Sequence, residues 1–205
     1  AIGGNARGAN AVDWQTNRGS AGNVASATYS VLGGGTNNTV NATGSSALGG
    51  GYNTNSGNWS FIGGGNSNTV SSSVGGNTYG VVVGGKSNTA GGAYNFIGCG
   101  FTNSGTATAA VTTQATSTIT SGSTAVTLSG SNASIKVGQY ITGTPIAGDT
   151  YVAAISGTSL TLSQNATSST NATLSFYTPH GVVVGGGNNQ ATGSYSFIGG
   201  GGDAG

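Results

Sequence analysis

The sequence predicts an all-β chain: a parallel β-solenoid, or β-roll, of coils about 15 residues long, carrying a small inserted antiparallel β domain. Three observations predict it. Glycine and charge usage lie far outside the globular range, a glycine-centred motif returns at a fixed period, and a stretch of about 70 residues interrupts that period and then rejoins it in register.

The chain has 205 residues, of which 42 are Gly and only 2 are Pro, with 3% charged residues and a formal net charge of +1. Ordinary domains carry about a quarter charged residues and about 7% Gly. Disorder does not account for this composition, because 35% of the residues are hydrophobic, dominated by Ala, Val and Ile, and neither charge nor Pro is abundant. Collagen is excluded by the lack of a Gly at every third position. What remains is a β-rich chain dense in tight turns, its polarity supplied by Ser, Thr and Asn.

The repeat is read from WSFIGGGNSNTV (59–70), which recurs as YSVLGGGTNNTV (29–40), SSALGGGYNTN (45–55), YNFIGCGFTNS (94–104) and YSFIGGGGDA (195–204). Two looser copies are GVVVGGKSNTA (80–90) and GVVVGGGNNQA (181–191). Aligned on the asparagine after the glycines, the copies give Asn23, Asn38, Asn53, Asn68, Asn88, Asn103 and Asn189. Their spacings are 15, 15, 15, 20, 15 and 86, so the period is 15 with insertions of 5 and 71 residues.

Within a coil, the tract Trp59-Ser60-Phe61-Ile62 suits a short strand. Gly63-Gly64-Gly65 suits a turn or a place where another backbone comes close. Asn68-Thr69-Val70 supplies a second strand or corner. Coils of this kind stack at about 4.8 Å. Stacking places Leu32, Leu48, Ile62, Val82, Ile97, Val183 and Ile198 in one apolar column. The asparagines form a ladder whose side-chain amides can hydrogen-bond along the stack. So thin an interior buries little against roughly 1–2 kcal/mol of backbone entropy per ordered residue. Association of several chains, burying Trp59, Phe61, Tyr94, Phe96, Tyr195 and Phe197, is therefore expected.

The inserted segment reads as strands at Ala125-Val126-Thr127-Leu128, Tyr151-Val152-Ala153-Ala154-Ile155, Ser159-Leu160-Thr161-Leu162 and Thr173-Leu174-Ser175-Phe176, with Ser156-Gly157-Thr158 as a hairpin turn. The organisation expected is thus roll repeats over 1–105, an inserted β module over 106–180, and the roll continued over 181–205. Because both ends of the sequence lie in Gly-rich motif, it reads as a segment of something longer.

The tracts SFIGGGNSNTV, NFIGCGFTNSG and SYSFIGGG resemble the head repeats of trimeric autotransporter adhesins of the YadA type, as they recur in bacteriophage tail fibres. The resemblance covers residues 21–105 and 181–205 and implies a left-handed parallel β-roll in a homotrimeric fibre. The GGG triplets, the 15-residue spacing and the large insertion depart from the adhesin head and lean toward a phage fibre. Residues 117–176, through VTLSG, VGQYITG, TPIAGDTYVAAISG and TLSQNAT, resemble a small all-β module of phage structural proteins.

Catalytic chemistry is not expected. The chain has one His, one Cys, three Asp and no Glu. Cys99 takes the middle glycine slot of a repeat, and Asp13, Asp149 and Asp203 lie in three different segments, which disfavours a paired-carboxylate site. The glycine runs open no helix, so no phosphate site is expected. No cofactor and no metal are expected. Arg7, Arg18, Lys86 and Lys136 are too scattered to neutralise nucleic acid, and no apolar run of about 18 residues is present for membrane insertion.

Binding is more credible. Tyr140, Tyr151 and Tyr177 in the insertion, with His180 just after it, are candidates to stack on sugar rings of a host-surface glycan, or to meet a protein receptor. The competing reading is that these aromatics form the module's own small core. The expected function is an extracellular structural segment of a virion tail fibre, serving host attachment. The alternative is a trimeric adhesin head on a bacterial cell surface. An ice-binding solenoid ranks below both, because the position after the ladder asparagine varies among Thr39, Thr54, Thr69, Thr89, Ser104 and Gln190.

Overall fold

The computed structural model describes residues 5–71, 78–105, 110–177, 181–191 and 195–202. Among them every regular element is a strand. The strands in chain order are β1 (Val12–Asp13), β2 (Val31–Leu32), β3 (Thr39–Val40), β4 (Ser46–Ala47), β5 (Thr54–Asn55), β6 (Phe61–Ile62), β7 (Thr69–Val70), β8 (Val81–Val82), β9 (Thr89–Ala90) and β10 (Phe96–Ile97). Then follow β11 (Thr112–Ile119), β12 (Ala125–Leu128), β13 (Tyr140–Thr142), β14 (Thr150–Ser156), β15 (Ser159–Leu162) and β16 (Thr173–Tyr177), and last β17 (Val182–Val183) and β18 (Phe197–Ile198). The chain divides into two compact units, Ala1–Thr106 with His180–Gly205, and Ala107–Pro179.

The first unit is a parallel β-solenoid. An eight-stranded sheet runs β1-β2-β4-β6-β8-β10-β17-β18 and a four-stranded sheet runs β3-β5-β7-β9. Each pair is parallel and joins one coil to the next. Across the long insertion, β10 pairs with β17 through Phe96↔Val182 and Ile97↔Val183, so the extra residues leave the register unchanged. Strands of two residues suffice because each coil's N–H groups donate to the next coil's carbonyls, as from Val31 to Ser45 and from Gly33 to Ala47, both at 2.9 Å. The ladder of bridges through Thr36, Gly51, Asn66, Lys86 and Phe101 extends this pairing past the glycine turn.

The interior is two side chains wide. One column holds Leu32, Ala47, Ile62, Val82, Ile97 and Val183, and the other Ala25, Val40, Val70, Ala90 and Ala191, with Ile198 packed partly against them. Leu48 is a correction to the sequence reading: it is 53% exposed, and Ala47 takes the column position beside Leu32 and Ile62. The cause is register. Leu48 lies five residues before its ladder asparagine, whereas Leu32 and Ile62 lie six before theirs, and one residue reverses the face of a strand. Asn55 enters the second column between Val40 and Val70. It is satisfied there by donating to Ser46 O at 2.9 Å and accepting from Ser60 Oγ.

The tract Trp59–Ile62 is likewise a corner followed by a strand rather than one strand. Tyr29, Trp59, Tyr79, Tyr94 and Tyr195 all adopt left-handed φ values between 48° and 57°. Such a conformation costs an L-residue about 1–2 kcal/mol. It turns the chain so that the aromatic N–H bonds the previous coil, as Trp59 to Thr43 O at 2.9 Å and Tyr94 to Thr78 O at 2.7 Å.

The column ends at Asp13, which pairs with Leu32 in the register of β1 and β2. Its carboxylate is inaccessible and is met by Arg18 Nη2 at 2.7 Å and Arg7 Nε at 3.4 Å, while its oxygens also accept from the N–H groups of Gln15 and Ala25. A buried ion with every lone pair engaged closes this end of the core. Asp13→Asn is expected to lower stability by about 1–3 kcal/mol, measured as a shift of the denaturation midpoint. An unchanged midpoint would show that the end coil frays independently of the remainder.

The second unit is a closed antiparallel barrel of order β11-β12-β15-β14-β13-β16. Its core is made by alternate residues including Val126, Leu128, Ile141, Leu160, Leu162, Leu174 and Phe176. β14 and β15 form the hairpin expected at Ser156-Gly157-Thr158, with Ser156 opposite Ser159 and Gly157 at φ 56°. Closure leaves no sheet edge to pair with another chain.

Candidate functional site

Three arrangements in the fold are candidates for function: the asparagine ladder, the outward face of the eight-stranded sheet, and a tyrosine cluster on the barrel.

The ladder is built by the register of the coils. The backbone N–H of Asn53 donates to Asn38 Oδ1, and this bond repeats from Asn68 to Asn53, Asn88 to Asn68, Asn103 to Asn88 and Asn189 to Asn103, all at 2.9–3.0 Å. Each Nδ2 donates twice, once within its own glycine turn and once to the next coil. For Asn68 the acceptors are Gly64 O at 2.9 Å and Gly85 O at 3.0 Å. The bonding is therefore mainly side chain to backbone. Direct amide-to-amide bonds occur from Asn88 to Asn68 at 3.2 Å and from Asn189 to Asn103 at 3.1 Å. Asn38, Asn53, Asn68, Asn88 and Asn103 are all buried.

Asn23 takes a different part. Its Oδ1 accepts from Ser20 in its own turn, and the acceptor beneath Asn38 is Gln15 Oε1 at 2.7 Å. Gln15 also donates to Asn23 O at 2.9 Å. One extra methylene lets a glutamine from a differently spaced first coil reach the ladder position, a substitution that motif alignment on asparagine misses.

The outward face of the eight-stranded sheet, with the corners that lead into its strands, is apolar and aromatic. Trp14, Trp59, Tyr195 and Phe197 are exposed by more than half, and Phe96 by 37%, while Phe61 and Tyr94 are half-buried. Tyr79 and Tyr94 stack on one another at 5.1 Å between ring centroids. The six-membered ring of Trp59 lies over Gly44, where an added Cβ would meet it at 2.3 Å. On the other sheet, Thr39, Thr54, Thr69 and Thr89 share one outward rank, continued by Ser104 and Gln190.

On the barrel, the register of β13 with β14 and β16 sets Tyr140 opposite both Tyr151 and Tyr177. The rings of Tyr140 and Tyr151 meet edge to face at 5.5 Å, and those of Tyr140 and Tyr177 lie 6.3 Å apart. Tyr140 is buried, and the other two are half-buried. The three tyrosines singled out in the sequence thus come together, with two presenting surface. His180 lies outside the described residues. Asp13 is committed to the ion cluster at the end of the core, and Cys99 is exposed at its glycine slot. Among the described residues no group of His, Cys, Asp or Glu is arranged to hold a metal ion, and no helix is long and apolar enough to cross a membrane.

Comparison with family models, curated proteins and solved structures finds no match for this chain.

Proposed function

We propose that the chain is a non-enzymatic structural segment of an extracellular fibre, a homotrimeric shaft of the phage tail-fibre kind that displays an inserted module for host attachment. The observation that carries this reading is the outward side of the solenoid: a sheet face and the corners leading into it that expose Trp, Tyr, Phe, Val and Leu on a chain with almost no charge. An apolar surface of that extent on a soluble protein marks an association site. The coil-to-coil bonding supplies axial stiffness, and the resemblance of the repeats to YadA-type heads supplies the threefold expectation. Host-surface glycan recognition is assigned to the tyrosine patch of Tyr140, Tyr151 and Tyr177, where the half-buried rings of Tyr151 and Tyr177, backed by the buried Tyr140, offer stacking area beside the Ser163 hydroxyl.

Light scattering of the purified chain tests the shaft. A species at three times the 19.5 kDa chain mass that survives detergent is expected. A stable monomer at micromolar concentration would overturn the fibre reading. For the patch, Tyr151→Ala is expected to weaken binding to a host-surface polysaccharide at least tenfold without changing the assembled mass. Undiminished binding would remove the tyrosines from the site.

A further inference from the structure

The solenoid has two kinds of corner, and only one of them changes length from coil to coil. From the long sheet to the rank of Thr39 the step is eight residues in six coils: Val31 to Thr39, Ser46 to Thr54, Phe61 to Thr69, Val81 to Thr89, Phe96 to Ser104 and Val182 to Gln190. The return step is seven residues from Thr39 to Ser46, Thr54 to Phe61, Thr89 to Phe96 and Gln190 to Phe197, but 12 from Thr69 to Val81 and 78 from Ser104 to Val182. The insertions of 5 and 71 residues therefore enter at the same corner. The glycine turn has no such freedom, because the ladder amide ties it both to itself and to the next coil, as Asn68 does through Gly64 O and Gly85 O.

The sequence that follows the corner changes with its length. Coils entered through a short corner open Ser30-Val31-Leu32-Gly33, Ser45-Ser46-Ala47-Leu48, Ser60-Phe61-Ile62-Gly63, Asn95-Phe96-Ile97-Gly98 and Ser196-Phe197-Ile198-Gly199. The two coils entered through a lengthened corner both open Gly-Val-Val-Val, at 80–83 and 181–184. Hydrogen bonding gives the reason for the first of these residues. Ser30 Oγ donates to Ala27 O at 2.7 Å, and Ser45 and Ser60 donate likewise to Ala42 O and Gly57 O, so each serine closes its short corner on the carbonyl three residues back. In a lengthened corner the residue three back belongs to the added chain. Glycine there keeps only the backbone bond: Gly80 O accepts from Phe61 N–H and Gly181 O from Phe96 N–H, both at 2.9 Å. The returning backbone also leaves no room for a side chain. A Cβ on Gly80 would lie 2.8 Å from Val70 Cγ1, and one on Gly181 would lie 2.9 Å from Asn95 Oδ1 and 3.2 Å from Ala191 Cβ. Asn95 stands where other coils carry serine, and its Oδ1 accepts from the Gly181 N–H at 2.9 Å, which holds the returning strand to the coil before the large insertion. Three β-branched residues then restart the strand, since their restricted side chains favour extended backbone.

We propose that this corner is an insertion port of the solenoid, a site that takes additional chain or a whole folded module without loss of register, and that Gly-Val-Val-Val is the re-entry segment that makes the port work. The glycine lets the backbone return beside the core without a closed corner, and the valines recover the strand and the column through Val82 and Val183. One four-residue opening thus serves two additions that differ more than tenfold in length. The inference stands on the solenoid alone and is independent of how many chains associate.

The test is a cycle of four chains, full length apart from the smaller insertion. Residues 71–79 are either kept or replaced by the short corner Ser-Gly-Asn-Trp of residues 56–59. In each background the opening is either native or carries Gly80→Ser, Val81→Phe, Val82→Ile and Val83→Gly together, which reproduces residues 60–63. The new opening packs against the same neighbouring coils in both backgrounds, so that contribution cancels in the difference. It is expected to lower the thermal midpoint of the long-corner chain by about 5 °C and to raise that of the short-corner chain. Failure of the long-corner variant alone to fold supports the proposal equally. A shift of the same sign and size in both backgrounds, or failure of both variants to fold, overturns it. At the large insertion, Gly181→Ser in the otherwise native chain is expected to lower the midpoint and to accelerate amide exchange at residues 182–184, and unchanged exchange there overturns the role given to the glycine. A monomeric parent, which would overturn the shaft reading, leaves the outcome of the cycle unaffected.

Discussion

Asn68→Ala is expected to lower the stability of the chain by about 4 kcal/mol, a large part of the roughly 5–15 kcal/mol that holds a typical domain folded. The side chain is fully buried and satisfies three backbone groups at once: it accepts from the Asn88 N–H at 3.0 Å and donates to Gly64 O and Gly85 O at 2.9 and 3.0 Å. Alanine removes all three partners, and water has no route to replace them. Each buried group left unpaired costs about 1–3 kcal/mol. The loss falls on the joint between two coils, so amide exchange should accelerate most at residues 84–88. Asn41→Ala is the matched control, since Asn41 is exposed and its hydrogen bond to the next coil is made by the backbone. Its denaturation midpoint should move by less than about 0.5 kcal/mol. Equal losses from the two substitutions would mean that the ladder contributes no more than surface asparagines do.

The period, the ladder and the interrupted register were legible in the sequence because they rest on residue types with little choice. The Nδ2 of a buried asparagine spans from its own turn to the next coil, and few other side chains offer donor and acceptor at that reach. What escaped were positions where a different residue meets the same requirement, or where the count slips by one. Gln15 joins the ladder from a first coil whose spacing to the second, 19 residues from Val12 to Val31, matches no other coil in the chain. Leu48 was expected in the apolar column with Leu32 and Ile62, yet it lies five residues before its hydrogen-bonded asparagine where they lie six before theirs, and that register sends it outward. In the barrel, β12, β14, β15 and β16 were marked by apolar alternation, while β11 was not, because Thr112–Ile119 is mostly Thr, Gln and Ser and buries only Thr116 and Ile119. Pairing with β12 and β16 defines that strand more than its own side chains do.

The candidate site was legible to a similar degree and for a related reason. Tyr140, Tyr151 and Tyr177 could be named as aromatics of the insertion, but their meeting depends on the cross-strand register of β13 with two neighbours. The outward aromatics of the solenoid were recognisable as a set. The left-handed corner that carries Trp59 and Tyr94 was not, because aromatic residues seldom occupy that conformation and nothing local marks it.

The glycine triplet separates stacking from flexibility as the reason for its composition. Gly65→Ala is expected to cost about 3–5 kcal/mol. Gly65 has φ +86°, and an added Cβ would lie 2.2 Å from Gly85 O, 2.9 Å from Gly85 N and 2.7 Å from Asn68 Nδ2. The methyl group would therefore force the next coil away and displace the ladder amide at the same point. Gly64→Ala, one residue earlier, meets nothing within 4 Å and has no left-handed φ to strain. It should be neutral or stabilise by up to about 1 kcal/mol, since alanine restricts the unfolded chain. The repeat has already made a related substitution, with Cys99 at the middle position of its triplet and Asn103 still donating to Cys99 O at 3.1 Å. Thermal melts of the two variants decide the matter. A large loss from Gly65→Ala alone means that the glycines serve the close approach of coils, whereas equal losses would mean that they serve the turn itself and that the stack tolerates a side chain between its layers.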